Sequence, residues 1–186
     1  MTKTMKSLIA GATLVAMGAL AQPAGAVNVS IYSGVDGGPG GEPYSGLIGS
    51  FSSPDINFGT GTGFNWHPFG AGSFGAQMTA TINVGSTGIY TFSTTSDDGS
   101  DLIIDGSMIV NNGGAHGPGT ASGSDFLTAG SHSFVVNFFE CCGGASGVDA
   151  PLPQGVSFVA APEPATIALI GAGLTGLGVM RRRRSI

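Results

Sequence analysis

Between Val27 and Ala161, glycine supplies 27 of 135 residues and separates short runs of β-branched and aromatic residues. Glycine destabilises a helix interior by about 1 kcal/mol relative to alanine, and no part of this segment has apolar residues at helical spacing. Short apolar runs bounded by Gly, Asn, Asp and Ser are typical of strands joined by turns. We therefore predict one all-β domain, an antiparallel β-sandwich with long Gly-rich loops.

The strand signal is strongest in the second half of this domain. Asp105-Gly106 lies between two apolar runs and predicts a hairpin. His132–Glu140 has apolar residues on both faces, so we expect a central strand that is buried on both sides. The segment 34–75 is dense in Gly and Pro and is predicted to be mostly loop. Strands are predicted at Ala76–Val84, Ile89–Thr95, Leu102–Asp105, Ser107–Asn111, His132–Glu140 and Gln154–Val159.

The N-terminal segment, residues 1–26, has the features of a signal peptide. Lys3 and Lys6 precede the apolar stretch Leu8–Ala21, and Ala24 and Ala26 suit a signal-peptidase site. The alternative is a retained membrane helix, but this stretch is shorter than the ~20 residues that a membrane span needs. We expect cleavage before Val27 and export of the domain.

The C-terminal segment, residues 162–186, combines three elements. Pro162-Glu163-Pro164 is followed by sixteen uncharged residues, 165–180, which we predict to form a short membrane helix, and by Arg181, Arg182, Arg183 and Arg184. The arginines would stay in the cytoplasm while the domain lies outside the inner membrane. This arrangement resembles the PEP-CTERM sorting signal of Gram-negative bacteria that make exopolysaccharide. The resemblance implies processing by an exosortase, a tethered precursor at the inner membrane, and delivery to the cell surface or extracellular matrix; the alternative is a permanent tail anchor.

Charge excludes one class of partner. The domain has no Lys or Arg, and it has ten carboxylates. Nucleic-acid backbones need cationic side chains that displace their counterions, so DNA and RNA are excluded as partners of the folded part. Cations and neutral polar ligands remain. The carboxylates are Asp36, Glu42, Asp55, Asp97, Asp98, Asp101, Asp105, Asp125, Glu140 and Asp149.

No residue set in the sequence predicts catalysis. His67, His116 and His132 are scattered, without the spacing of a metalloprotease site, and His132 at the start of a strand suits a structural role. A Gly-x-Ser-x-Gly nucleophile elbow, a phosphate-binding loop with Lys and a dinucleotide fingerprint are all missing from the sequence. We therefore predict that the protein is not an enzyme and assign no catalytic residue.

The acidic turn Ser96-Asp97-Asp98-Gly99-Ser100-Asp101 is the candidate site. It places three carboxylates within five residues between two apolar strands. Neighbouring side chains on a strand point to opposite faces, so both Asp97 and Asp98 reach one ion only if the backbone turns sharply. Hard oxygen ligands in a loop suit Ca²⁺. The spacing is not that of an EF-hand, and a solvated acidic turn is the alternative.

Four ordered motifs resemble the anthrax protective-antigen-type domain, which also occurs in yeast flocculins, glycosidases and bacterial adhesins. They are Gly88–Phe92, Ser96–Ser100, Leu102–Gly106 and Val110–Asn112, and the match continues through Leu127–His132 and Val135–Glu140. The resemblance covers roughly residues 44–158. It implies a jelly-roll-like β-sandwich and, for many members, carbohydrate binding.

In the sugar-binding adhesins of that family, two successive Asp residues joined by a cis peptide hold a calcium ion that coordinates sugar hydroxyls. Asp97 and Asp98 match that pair, so the resemblance implies that they bind calcium and ligand. Those adhesins complete the site with an Asn from the loop after the long apolar strand. This chain has no Asn there, and Glu140 is the nearest side-chain oxygen and a weaker metal candidate.

Two further features bear on ligand binding. Cys141 and Cys142 are the only cysteines and are adjacent; a vicinal disulfide, an intermolecular disulfide and free thiols all remain open. A vicinal disulfide would stiffen the loop facing the Asp pair and offer an apolar surface to a sugar ring. Trp66 is a second, weaker candidate for stacking on a sugar, and core packing is its alternative.

Two function classes compete. The first is a surface-sorted, calcium-dependent lectin or adhesin module that binds exopolysaccharide or cell-surface glycans. The second is a structural protein of the cell surface or biofilm matrix, in which Asp97 and Asp98 only shape a turn. Calcium-dependent sugar binding separates them.

Overall fold

The computed structural model describes residues 27–70 and 72–160, so the predicted signal peptide and sorting tail lie outside the described residues. Two antiparallel sheets pack face to face. Two 3₁₀ turns, Thr60–Thr62 and Pro68–Gly70, lie in a long loop that connects a strand of one sheet to a strand of the other. In the described part of the chain, no helix is long and apolar enough to cross a membrane. The strands are β1 (Val27–Gly34), β2 (Ser45–Ser53), β3 (Asn57–Phe58), β4 (Phe74–Val84), β5 (Gly88–Asp97), β6 (Ser100–Ile104), β7 (Ser107–Asn112), β8 (Gly119–Leu127), β9 (Gly130–Glu140), β10 (Gly147–Asp149) and β11 (Val156–Phe158).

The larger sheet has the order β2-β1-β4-β9-β6-β7, with β11 paired to the end of β4. The smaller sheet has the order β3-β10-β5-β8. Strands β4 and β9 pair over their full length, from Phe74 opposite Glu140 to Val84 opposite Gly130. Because β5 belongs to the small sheet and β6 to the large one, the turn between Asp97 and Ser100 crosses the sandwich at one end.

The core lies between the sheets and is built from one side of each strand. Alternation places Phe134, Val136 and Phe138 of β9 inside with no exposed surface, as the period of two in a strand requires. Met78 and Ile82 of β4 pack beside them in the same sheet, and Phe92 of β5 packs against them from the opposite sheet. The all-β sandwich predicted from the sequence is confirmed.

All six predicted strands are present, as β4, β5, β6, β7, β9 and β11, and the hairpin is where it was expected, whereas β1, β3, β8 and β10 were not predicted. Asp105 and Gly106 both have positive φ, 49° and 83°, which is the geometry that makes Asp-Gly favourable between paired strands. Strand β9 is central, between β4 and β6, but it is buried on both faces only from Val136 to Glu140. The prediction that 34–75 is mostly loop is wrong for Ser45–Ser53, which forms β2 on the sheet edge. Because an edge strand buries little surface, β2 can consist largely of Ser and Gly. Its sequence therefore lacks the apolar–polar alternation that predicts a strand.

The loop between β1 and β2 is fastened to the large sheet by a pair of carboxyl groups. The backbone N–H of Gly40 donates to Glu42 Oε2 at 3.0 Å and to Asp101 Oδ2 at 3.1 Å. Asn137 Nδ2 donates to Asp101 Oδ1 at 3.0 Å. Asp101 is fully buried, and burial, with Glu42 beside it, raises the pKa of its carboxyl to about 7. Below about pH 7 the Asp101 carboxyl therefore carries a proton, which it shares with the Glu42 carboxyl through a hydrogen bond.

Replacing Asp101 by Asn is expected to flatten the pH dependence of stability. Because the pKa of the Asp101 carboxyl is higher in the folded state than in the unfolded state, this group contributes most to the free energy of unfolding below its unfolded-state pKa of 3.8. That contribution falls as pH rises towards about 7, by a few kcal/mol in all. Asp101→Asn keeps a donor towards Glu42 and does not titrate. Urea unfolding from pH 4 to pH 8 measures the difference, with Asp36→Asn as the control; an equal slope in both variants would contradict the shared proton.

Candidate functional site

The acidic turn connects β5 of the small sheet to β6 of the large sheet. Its Asp97–Asp98 peptide bond is cis, and the N–H of Phe139 donates to the carbonyl of Gly99 at 2.9 Å. This bond sets the turn beside the end of β9. A Cβ at Gly99 would lie 2.3 Å from Phe139 Cε1 and 2.8 Å from the carbonyl oxygen of Pro39, so only glycine fits there.

Three carboxylates converge at this end of the sandwich. Oxygen atoms of Asp97, Asp98 and Glu140 lie within 4.8 Å of one another. Their exposed fractions are 7 %, 6 % and 1 %, and Glu140 Oε2 is buried without a hydrogen-bond partner among the described residues. The sequence has no Lys or Arg from Val27 to Ala161 that could neutralise the group.

Backbone amides from two loops hold two of these carboxylates. Asp98 accepts from the N–H of His116 at 2.9 Å and from the N–H of Cys141 at 3.0 Å. Glu140 Oε1 accepts from the N–H of Gly143 at 2.9 Å. Within the described residues, the carboxylate of Asp97 has no hydrogen bond. The amides orient Asp98 and Glu140, while Asp97 is free to face the cavity.

Because Asp97, Asp98 and Glu140 are buried, the negative charge of their carboxylates is energetically unfavourable. Burial raises the pKa of Asp97, and the neighbouring Asp98 raises it further while His116 opposes the change. Burial likewise raises the pKa of Glu140, with Asp98 adding to it and the Gly143 N–H opposing it. A bound divalent cation would remove this cost, and acidification would compete with the cation for the same oxygens.

Behind the turn, a buried hydroxyl network fixes the ends of β5 and β6. Ser100 Oγ lies 2.8 Å from Ser96 Oγ and donates to Thr94 Oγ1 at 2.9 Å. Asn112 Nδ2 donates to Ser96 Oγ at 3.0 Å. Because these side chains are satisfied by one another, they tie the two sheets together without using the carboxylate oxygens. The acidic turn is therefore supported from the core side and open on the other.

On the open side lies a cavity of about 380 Å³, a volume suited to a small ligand such as one sugar ring. Asp97 and Asp98 of the oxygen cluster form one wall, and the loops after β7 and β9 form the others. The lining residues are Asp97, Asp98, Ala115, His116, Gly117, Cys142, Gly143 and Ala145.

The structure brings together most of the residues singled out from the sequence. Asp97, Asp98 and Glu140 form the oxygen cluster, and Cys141 and Cys142 form a disulfide beside it. Trp66 does not line this cavity; it stacks on Phe58 at a centroid distance of 4.6 Å and packs against the core. The structure thus places Trp66 in the core role that was its alternative.

The histidines have separate roles. His132 of β9 contacts Oδ2 of Asp105, in the β6–β7 turn, at 2.7 Å, which agrees with a structural role. His116 was not singled out from the sequence as a site residue, yet its backbone holds Asp98 and its ring lines the cavity. Its ring nitrogens lie 2.7 Å from the carbonyl oxygen of Gly117 and 2.9 Å from that of Asn112. No local sequence signal places the β7–β8 loop against the acidic turn.

The donor set fits a hard divalent cation. It consists of carboxylate oxygens, and one of them, Glu140 Oε2, is buried without a partner. Ca²⁺ takes six to eight oxygen ligands in irregular geometry, so three carboxylates would leave positions for water or ligand hydroxyls on the cavity side. A buried carboxylate with neither partner nor cation is unfavourable, which makes the cluster better suited to an ion than to bare solvent.

Comparisons with known proteins agree with this architecture. The sequence model of the PA14 domain matches residues 28–154, and that of the PEP-CTERM protein-sorting motif matches residues 160–184. The sorting motif implies an exported protein that is sorted through the membrane to the cell surface. A search of curated proteins gave no match.

Several solved structures share the fold. An anti-sigma factor domain-containing protein from Clostridium clariflavum superposes with a TM-score of 0.58 at 19% identity, covering 74% of this chain and 47% of that one. The PA14 sugar-binding domain from an RTX adhesin has a TM-score of 0.54 at 20% identity, with 73% and 93% covered. A β-glucosidase from Kluyveromyces marxianus gives 0.54 at 16% identity. The match covers 77% of this chain but only 19% of that enzyme, so the two proteins share the domain alone.

Proposed function

The chain belongs to the PA14 domain family, and we propose that its domain is a calcium-dependent carbohydrate-binding module displayed at the cell surface. The observation that carries the proposal is the cluster of three buried carboxylates, one with an unpartnered oxygen, beside an open cavity. The RTX adhesin domain with this fold is described as sugar-binding, which supports the same ligand class here. Residues of the site bind and orient a ligand, and none of them is assigned a catalytic role.

Asp97, Asp98 and Glu140 are the residues that would hold calcium. The ion, when bound, would supply a positive centre that accepts lone pairs from sugar hydroxyls. The chain's own contribution is orientation: the amides of His116 and Cys141 fix both oxygens of Asp98, and the amide of Gly143 fixes Glu140. These hydrogen bonds hold the carboxylates in place beside the cavity, where they would bind the ion.

The walls of the cavity suit the remaining faces of a sugar. Cys142 and Ala145 provide apolar surface, on which the C–H face of a ring can lie, and the loop glycines leave room for it. His116 and Gly117 line the opposite wall. Both ring nitrogens of His116 already contact backbone carbonyls, and the Gly117 carbonyl keeps a second lone pair that a sugar hydroxyl can use. We infer that the Cys141–Cys142 disulfide contributes to ligand binding through this apolar surface.

Glycan-array binding of residues 27–161, with calcium and again with a chelator, tests the proposal. The proposal predicts binding to at least one glycan in calcium, and loss of that binding both in chelator and in Asp97→Ala/Asp98→Ala. The variant Asp36→Asn, which alters an exposed carboxylate, is expected to bind like the wild type. Failure to bind any glycan in calcium would favour a structural protein of the surface or matrix.

The sorting tail carries a second prediction. We propose that an exosortase-type enzyme acts at Pro162–Pro164 after signal peptidase has removed residues 1–26. Truncation before Pro162 is expected to move the protein from the membrane fraction to the soluble exported fraction, because the apolar segment 165–180 and the arginines are gone. Immunoblots of fractionated cells measure this. Retention of the truncated chain in the membrane fraction would contradict the role given to the tail.

A further inference from the structure

The loop after β9 is a second place where ligand atoms meet. Sγ of Cys141, Sγ of Cys142 and a carboxylate oxygen of Asp98 all lie within 4.8 Å of one another. Cys141 Sγ is 3.4 Å from Asp98 Oδ2. A disulfide sulfur has no proton to donate, so this approach is a contact and not a hydrogen bond. The sulfur atoms thus share Asp98 with the oxygen cluster.

We propose that reduction of the Cys141–Cys142 disulfide converts this end of the site into a binding site for a thiophilic divalent cation such as Zn²⁺ or Cd²⁺. The oxidised site offers oxygen atoms to a hard cation. The reduced site offers two thiolates and Asp98 instead. Thiolate ligands select zinc and related ions, whereas carboxylates suit calcium. The disulfide therefore sets which class of cation the loop can bind.

The distances support a tetrahedral arrangement. With Zn–S near 2.3 Å and Zn–O near 2.0 Å, a sulfur and an oxygen on one zinc ion lie about 3.5 Å apart. The contact between Cys141 Sγ and Asp98 Oδ2 is 3.4 Å, so this edge of the site is already in place. Two sulfurs on one zinc lie about 3.8 Å apart, but a disulfide holds them near 2.05 Å. Only the separation of the sulfurs is missing.

Reduction supplies that separation. A phosphine or dithiol reductant donates two electrons, the Sγ–Sγ bond breaks, and each sulfur takes one proton. The phosphine leaves as its oxide with oxygen from water, or the dithiol leaves as its own disulfide. The cation then displaces the two thiol protons to solvent. Two thiolates and the Asp98 carboxylate then carry three negative charges against the two positive charges of the cation, so the bound group has a net charge of −1.

The loop is built to allow this change. Cys142 is exposed, so a reductant can reach the bond. Gly143 and Gly144 follow it at φ of 77° and 110°, with open space around both. Asp98 stays fixed by the N–H of His116, which belongs to a different loop. The sulfurs can therefore move while the oxygen ligand remains where it is.

Cadmium titration of the full chain in detergent tests the proposal, because cadmium thiolates absorb in the ultraviolet. After reduction with a phosphine, the wild type is expected to bind one Cd²⁺ per chain with a thiolate absorption band. Cys142→Ser and Asp98→Asn are each expected to bind at least tenfold more weakly, and Asp36→Asn is expected to match the wild type. The oxidised protein is expected to show no such band.

Several results would overturn this assignment. They are the absence of the band in reduced wild type, equal binding by Cys142→Ser, one ion shared between two chains, and loss of the β-sheet circular dichroism on reduction. A calcium titration of the oxidised protein runs alongside. If the oxidised protein fails to bind calcium while the reduced protein binds cadmium, the proposed function is wrong and the thiolate site is retained. If the oxidised protein binds calcium while the reduced protein binds no cadmium, the thiolate site is wrong and the proposed function is retained.

Discussion

Asp97→Asn is expected to lower calcium affinity by roughly 100-fold while leaving the calcium-free fold at least as stable as the wild type. Removing one charged partner from a buried ionic group costs about 3 kcal/mol, which corresponds to a factor of about 100 in affinity. Asp97 accepts no hydrogen bond from the described residues, so its replacement breaks none. It also relieves repulsion with Asp98, which contributes to the raised pKa of Asp97.

Isothermal titration of calcium into chelator-treated protein measures the affinity, and urea unfolding in chelator measures the stability. Asp36→Asn serves as the control because it removes the same charge from an exposed loop. A loss of only twofold to threefold in Asp97→Asn, equal to that of the control, would show that Asp97 acts through general charge and not as a ligand. Unfolding of Asp97→Asn in chelator would show that its role is structural.

Glu140→Gln is expected to change stability in opposite directions with and without calcium. In chelator the variant should be more stable by about 1 kcal/mol, because it removes a buried charge whose Oε2 has no partner. With calcium at about 100 times its Kd, the wild type should gain about 2.7 kcal/mol. That gain corresponds to roughly 10 °C in Tm for a domain of this size. The variant should gain much less.

Thermal unfolding of both proteins in chelator and in calcium tests this reversal. The crossing of the two orders is the informative result, because a purely structural Glu140 would shift stability in the same direction under both conditions. Equal thermal shifts from calcium in the wild type and in Glu140→Gln would contradict its place among the ligands. Magnesium at the same concentration is a control for ionic strength, since Mg²⁺ demands stricter octahedral geometry.

The sequence predicted the parts of the fold whose local signals agree with their packing. β4 alternates from Ala76 to Val84, β5 places Tyr90 and Phe92 on its apolar face, and the Asp105-Gly106 turn has a residue pair suited to its positive φ values. β2 was missed because an edge strand of Ser and Gly lacks that alternation. The pairing of Asp101 with Glu42 was also beyond the sequence, since the two residues are far apart in the chain and meet only when the loop folds over β9 and β6.

The candidate site divides in the same way. Asp97 and Asp98 were identified from adjacent carboxylates and a family resemblance. Glu140 was assigned only weakly, although β9 ends with its side chain buried in the cluster. The sequence could not show this, because strand length and register decide where Glu140 lies. His116 was missed for a related reason: the loop after β7 reaches the acidic turn only through long-range packing.

The most direct test of the central claim is a crystal structure of residues 27–161 grown with calcium and with a glycan identified on the array, using anomalous scattering to locate the ion. The account predicts one calcium ion bound by Asp97, Asp98 and Glu140, with sugar hydroxyls completing its coordination on the cavity side. A sugar bound away from this cavity, or a cluster without an ion at saturating calcium, would contradict it.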